Sequence, residues 1–120
     1  MTRYAIVLEV DSPPALVPYT DFQTLKQRMG IEWAEVAQRW TVGDLGLAML
    51  VDEEGRLKDD PIVNELGTTL CRFMDAPIVG TAAIVADRGE DIEGLTEDEA
   101  QNVLGALDTL LDVMLEGGRS

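Results

Sequence analysis

Two apolar runs constrain this chain more than anything else in it: Leu45-Gly-Leu-Ala-Met-Leu-Val51 and Pro77-Ile-Val-Gly-Thr-Ala-Ala-Ile-Val-Ala86. Each falls well short of the roughly 20 apolar residues a membrane helix needs. Both are strand-length, and the second is apolar or small at nearly every position, the pattern of a strand covered on both faces. They are the expected central strands of a sheet. Between them lie a sharp polar turn, Asp52-Glu-Glu-Gly55, a short return strand at Arg56-Leu-Lys58, and a helix with Asp60 as N-cap and Pro61 in its first position. Ile62, Val63, Leu66, Leu70, Phe73 and Met74 line one side of that helix, and Pro77 stops it.

The rest of the chain arranges itself around these strands. Tyr4-Ala-Ile-Val-Leu-Glu-Val10 reads as a first strand, ended by Asp11-Ser-Pro-Pro14. Thr20-Asp-Phe-Gln23 matches a helix capping box, Phe22, Leu25 and Met29 then share a face, and Gly30 is placed as a left-handed C-cap. Ile31 to Ala37, with an extension to Trp40, reads as a strand antiparallel to residues 45–51 across a loop near Gly43-Asp44; a helix is the alternative there. Thr96-Glu-Asp-Glu99 is a second capping box. It opens a helix to about Glu116 with Ala100, Val103, Leu104, Leu107, Leu110, Leu111 and Met114 on a wide apolar face. That face docks on the sheet or pairs with a second copy.

The order is β-α-β-β-α-β-α, an α+β fold with a small antiparallel or mixed sheet and helices on one face. A ferredoxin-like split β-α-β with an added C-terminal helix is the simplest architecture, and a smaller twisted sheet with a β-hairpin is the alternative. The 120 residues suffice for one domain: an α+β core over 1–86, an acidic loop over 87–95 and an amphipathic helix over 96–116.

Charge narrows the function classes. The chain holds 23 Asp/Glu against 9 Lys/Arg, for a net charge of −14. A field of this sign repels phosphate, so direct nucleic-acid binding is not expected. The acid concentrates in residues 87–116, where Arg88 is the one basic residue. Asp87, Glu90, Asp91, Glu93, Asp98, Asp108 and Asp112 are the candidate interaction surface there, suited to a basic protein; a surface that only keeps the chain soluble is the alternative.

The catalytic inventory is thin. There is no histidine, the usual general base near neutral pH. Neither Ser12 nor Ser120 sits in a nucleophile elbow, and no phosphate-binding glycine loop occurs. Cys71, the one cysteine, has nothing to activate it and can form no internal disulfide, in keeping with a reducing compartment. Asp52, Glu53, Glu54, Asp59 and Asp60 lack the ligand spacing of a calcium loop, so no metal and no cofactor is expected. One pocket is conceivable: Asn64 in the first turn after Pro61, beside Gly80 and Thr81, could hold a small ligand such as a nucleotide. The alternative is that Asn64 satisfies a local backbone group and Gly80 relieves packing.

Leu47-Ala-Met-Leu-Val-Asp-Glu-Glu-Gly-Arg-Leu-Lys58, then Pro61-Ile-Val-Asn64, then Ile78-Val-Gly-Thr-Ala-Ala-Ile-Val85, resembles in its order the DUF3846 family, a domain of unknown function. The resemblance spans Tyr4 to Ala86, and the acidic loop and last helix look like an addition. It implies a small α+β accessory protein of bacteriophages, prophages or other mobile elements, notably of actinobacteria, and supplies no activity and no functional residue. The expectation is therefore a non-enzymatic protein of the host cytoplasm that binds a basic host protein. A small-molecule binder and a module that dimerises through the C-terminal helix are the alternatives. Met1-Thr-Arg-Tyr4 lacks the pattern of a secretory leader, and no membrane attachment is expected.

Overall fold

The computed structural model describes residues 2–9, 13–52, 80–89 and 91–117, and the backbone alone of 110, 111 and 113–117. The elements run β1 (Arg3–Leu8), β2 (Ala15–Tyr19), α1 (Phe22–Met29), β3 (Ala34–Val42), β4 (Leu45–Asp52), β5 (Ala82–Asp87), β6 (Ile92–Glu93) and α2 (Glu97–Gly117). The expected return strand at 56–58, the helix after Pro61, Cys71 and Asn64 lie outside the described residues.

The strands form one sheet in the order β2-β1-β5-β4-β3, with β6 paired to β5, and every pairing is antiparallel. The α+β class and the antiparallel sheet are as expected. The two apolar runs supply adjacent inner strands, β4 and β5, and Ala82 to Ala86 are all fully buried. Pro77, where that strand was expected to open, lies outside the described residues; Gly80 and Thr81 precede the strand, and β5 begins at Ala82. A ferredoxin-like split β-α-β would set β1 directly beside β4; here β5 stands between them, antiparallel to both.

Nor do the helices share a face. Alternate residues of β1, β4 and β5 point to opposite sides. Ile6, Leu8, Leu47, Met49 and Ile84 pack with Ala100, Val103 and Leu107 of α2. Ala5, Val7, Leu50 and Val85 pack with Leu25 and Met29 of α1. A run that is apolar on both sides needs cover on both sides, and one helix on each face supplies it. The C-terminal helix thus docks on the sheet through the face read from its periodicity.

The local signals hold with small shifts. Gly30, at φ 74°, donates its N–H to the carbonyls of Gln27 and Lys26 and closes α1. The N-cap of α1 is Asp21 rather than Thr20, its Oδ1 accepting the Thr24 amide at 2.7 Å. Aspartate outcompetes the neighbouring hydroxyl because a carboxylate is the stronger acceptor beside the positive end of a helix. β3 and β4 form a hairpin turning at Gly43-Asp44, with a bulge between Val36 and Gln38. β2 was not expected, because Pro13 and Pro14 precede it and Pro18 lies within it. It forms as an edge strand whose partner on one side is β1, a position that tolerates the missing N–H of Pro18.

Candidate interaction surface

The acidic stretch begins where β5 leaves the sheet. Asp87 Oδ1 accepts the Gly89 amide at 3.0 Å, and the Arg88 amide donates to the Asp91 carbonyl at 2.9 Å, which turns the chain back into β6. Residues 87–95 are therefore a short hairpin and its exit. β6 holds to β5 through the pairs Ala86–Glu93 and Asp87–Ile92. Beyond it, Leu95 exchanges two backbone hydrogen bonds with Tyr4, at 2.8 and 2.7 Å, and its side chain is fully buried. This anchor fixes the point from which α2 starts.

The capping box of α2 forms in full. The Glu99 amide donates to Thr96 Oγ1 at 3.2 Å, and the Thr96 amide donates to Glu99 Oε1 at 2.9 Å. Glu99 has a second task. Arg88 donates to it through both terminal nitrogens, at 2.8 and 3.3 Å, and also stands 3.5 Å from Glu93. These hydrogen bonds, with the Glu99 carboxylate the largest cause, raise the Arg88 pKa above its usual value. The same guanidinium, followed by the Thr96 amide, holds the Glu99 carboxyl below the usual glutamate range despite its partial burial. Asp87 stands 3.7 Å from Arg39 of β3.

The carboxylates of this region therefore divide by occupation. Asp87, Glu93 and Glu99 have cations against them. Asp91, Glu97, Asp98, Asp108 and Asp112 are exposed, and among the described residues no cation pairs with any of them. Asp98, Asp108 and Asp112 share the outer stripe of α2 with Gln101 and Gly105, opposite the buried Ala100, Val103 and Leu107. At 1.5 Å per residue the stripe from Asp98 to Asp112 is about 21 Å long. Glu90 lies outside the described residues. The Arg88–Glu99 tie was not read from the sequence. Its signal was there: one arginine in an otherwise anionic stretch, with a capping-box glutamate eleven positions on.

Of the other expected site, Asn64 lies outside the described residues, and Gly80 and Thr81 are within them. Gly80 precedes β5 at φ 71°, in the left-handed region that favours glycine, and a Cβ there would meet no described atom within 4 Å. Thr81 is half-buried beside it. A separate hollow of about 480 Å³ lies between the start of α1 and β6, lined by Arg3, Tyr19, Asp21, Phe22 and Glu93 among others. Burial first, then Asp21 and Glu93, push the Tyr19 phenol above its ordinary pKa, so it stays protonated.

Among the described residues no group of three or more Asp, Glu or Cys is disposed to hold a metal ion, and no helix is long and apolar enough to cross a membrane. Residues 1–108 match the family model described as a domain of unknown function, DUF3846. The match runs past Ala86 through the β5–β6 hairpin and half of α2, so these segments are part of the family's domain and not an addition to it. No curated protein and no solved structure matches the chain.

Proposed function

We propose, from the premise that the chain belongs to the DUF3846 family, that it is a non-enzymatic accessory protein of a bacteriophage or prophage, and that it binds a basic host protein through the acidic outer face of α2 and the β5–β6 hairpin. One observation carries this reading. Asp91, Glu97, Asp98, Asp108 and Asp112 are exposed and, among the described residues, have no cation set against them, whereas Glu93 and Glu99 beside them are held by Arg88. Unpaired acid on a stiff helix costs stability through self-repulsion and raises the encounter rate with a positively charged surface. The lack of histidine and of any nucleophile motif supports a binding role over a catalytic one.

The test is retention from host extract on the immobilised protein at low salt and at ~0.5 M salt, where the Debye length shrinks to a few ångströms. A basic protein held at low salt, released by salt, and lost with the triple replacement Asp98→Asn, Asp108→Asn, Asp112→Asn is the expected outcome. Retention that survives both the salt and the triple replacement would overturn the reading.

A further inference from the structure

A cavity of about 330 Å³ lies between the β3–β4 turn and the first two turns of α2. Its walls are Val42 and Leu45 on one side and Val103 on the other, with Asp44, Asn102, Arg88 and Glu99 around them. Val42 is 49% exposed, unusual for a β-branched residue at the end of a strand in this chain, since Trp33 is the other large hydrophobic so exposed among the described residues. The Asp44 carboxylate is exposed, and among the described residues no cation pairs with it. Arg88, the cation of the cavity, is already held by Glu99 and Glu93. The uncompensated charge at this opening is therefore negative, above a largely apolar lining.

We infer that this cavity takes a lysine or arginine side chain of the basic partner, an inference that rests on the function proposed above. The two side chains that fit such a lining are those with a hydrocarbon stem and a cationic tip. The stem lies against Val42, Leu45 and Val103, and the tip meets the Asp44 carboxylate and the Asn102 side-chain carbonyl. An aliphatic side chain would leave Asp44 unpaired, and an acidic one would be repelled by it. The position is also right: Asn102 borders the cavity and is exposed beside the outer stripe of α2, so a partner laid along Asp98 and Asp108 reaches the opening without leaving the surface. The cavity is the anchor that an otherwise purely electrostatic contact lacks, since screened surface charges alone give little orientation.

The experiment titrates the full chain with an octalysine peptide, reading backbone amide shifts and affinity together. Three single variants are compared: Asp44→Asn, Val42→Ser, and Glu32→Gln, which removes the same charge at the opposite end of β3. The expected result is shifts centred on Asp44, Leu45 and Asn102, with about a fivefold loss of affinity for Asp44→Asn and for Val42→Ser and little change for Glu32→Gln. Equal losses for Asp44→Asn and Glu32→Gln would mean that net charge alone is sensed and would overturn the cavity, while the acidic-surface reading stands. No binding by the unmodified chain would overturn both.

Discussion

Arg88 on the β5–β6 turn and Glu99 in the first turn of α2 are joined by two hydrogen bonds, and Glu99 simultaneously accepts the Thr96 amide that starts the helix. A single carboxylate thus fastens α2 to the sheet and caps it. Replacing Glu99 with Gln keeps a cap but removes the charge, and should lower stability at pH 7 by about 1 kcal/mol. The sign with pH follows from its depressed pKa: the contribution is complete above the unfolded glutamate value and is lost as pH falls through the folded one. Arg88 remains charged throughout. Urea unfolding of both proteins should therefore show a gap at pH 7 that closes towards pH 3, and a gap unchanged at low pH would refute the role of the charge.

Gly94 is buried between β6 and α2, and a Cβ added there would collide with the Cβ of Arg3 and lie 2.9 Å from Cδ1 of Tyr19. Neither neighbour can withdraw, because Arg3 and Tyr19 are paired across β1 and β2. Gly94→Ala should cost about 1–3 kcal/mol by overpacking. Thermal unfolding would show it as a lowered midpoint, and an unchanged midpoint would mean the β1–β2 edge yields freely.

Leu107 is 2% exposed within the core on the α2 face of the sheet. Leu107→Ala should cost about 2–5 kcal/mol. Leu107→Asn should unfold the chain outright, as an unpaired amide is buried among hydrocarbon. Circular dichroism alongside solution mass separates this from helix pairing: a folded monomer produced from a dimer would place Leu107 at an interface instead.

Asp108 and Asp112 stand four residues apart on the exposed stripe of α2, both in the half of the helix nearer its negative end. Each is unfavourable there, through mutual repulsion and through the helix dipole. Replacing both with Asn should leave stability unchanged or raise it by about 0.5 kcal/mol while weakening capture of a basic partner. Denaturant melts and binding assays on one preparation would check both, and a loss of stability would mean that the acids serve the fold.

The sequence made the short-range chemistry legible and left the long-range order obscure. Gly30, the Thr96–Glu99 box and the hairpin at Gly43-Asp44 are each determined within a few residues, and all three are where they were expected. The insertion of β5 between β1 and β4 depends on pairings across most of the chain, which no local pattern encodes. β2 was hidden because Pro18 reads as a strand breaker unless its edge position is known. β6 was hidden because two residues, Ile92 and Glu93, are too few to carry a periodicity, and the pairing with β5 that makes them a strand is not local. At the surface, the acidic residues could be named from the sequence, but not the division between those engaged by Arg88 or Arg39 and those left unengaged.

Among the described residues the sheet has two margins, β2 and β3, and neither invites another strand. Pro18 interrupts the donors of β2, and the bulge between Val36 and Gln38 distorts β3. A visitor is thereby denied the main-chain ladder, the one mode of recognition that is indifferent to what the visitor's side chains are. On the proposed reading, discrimination then rests on the partner's own side chains, and a partner would escape by changing a few basic positions without altering its shape.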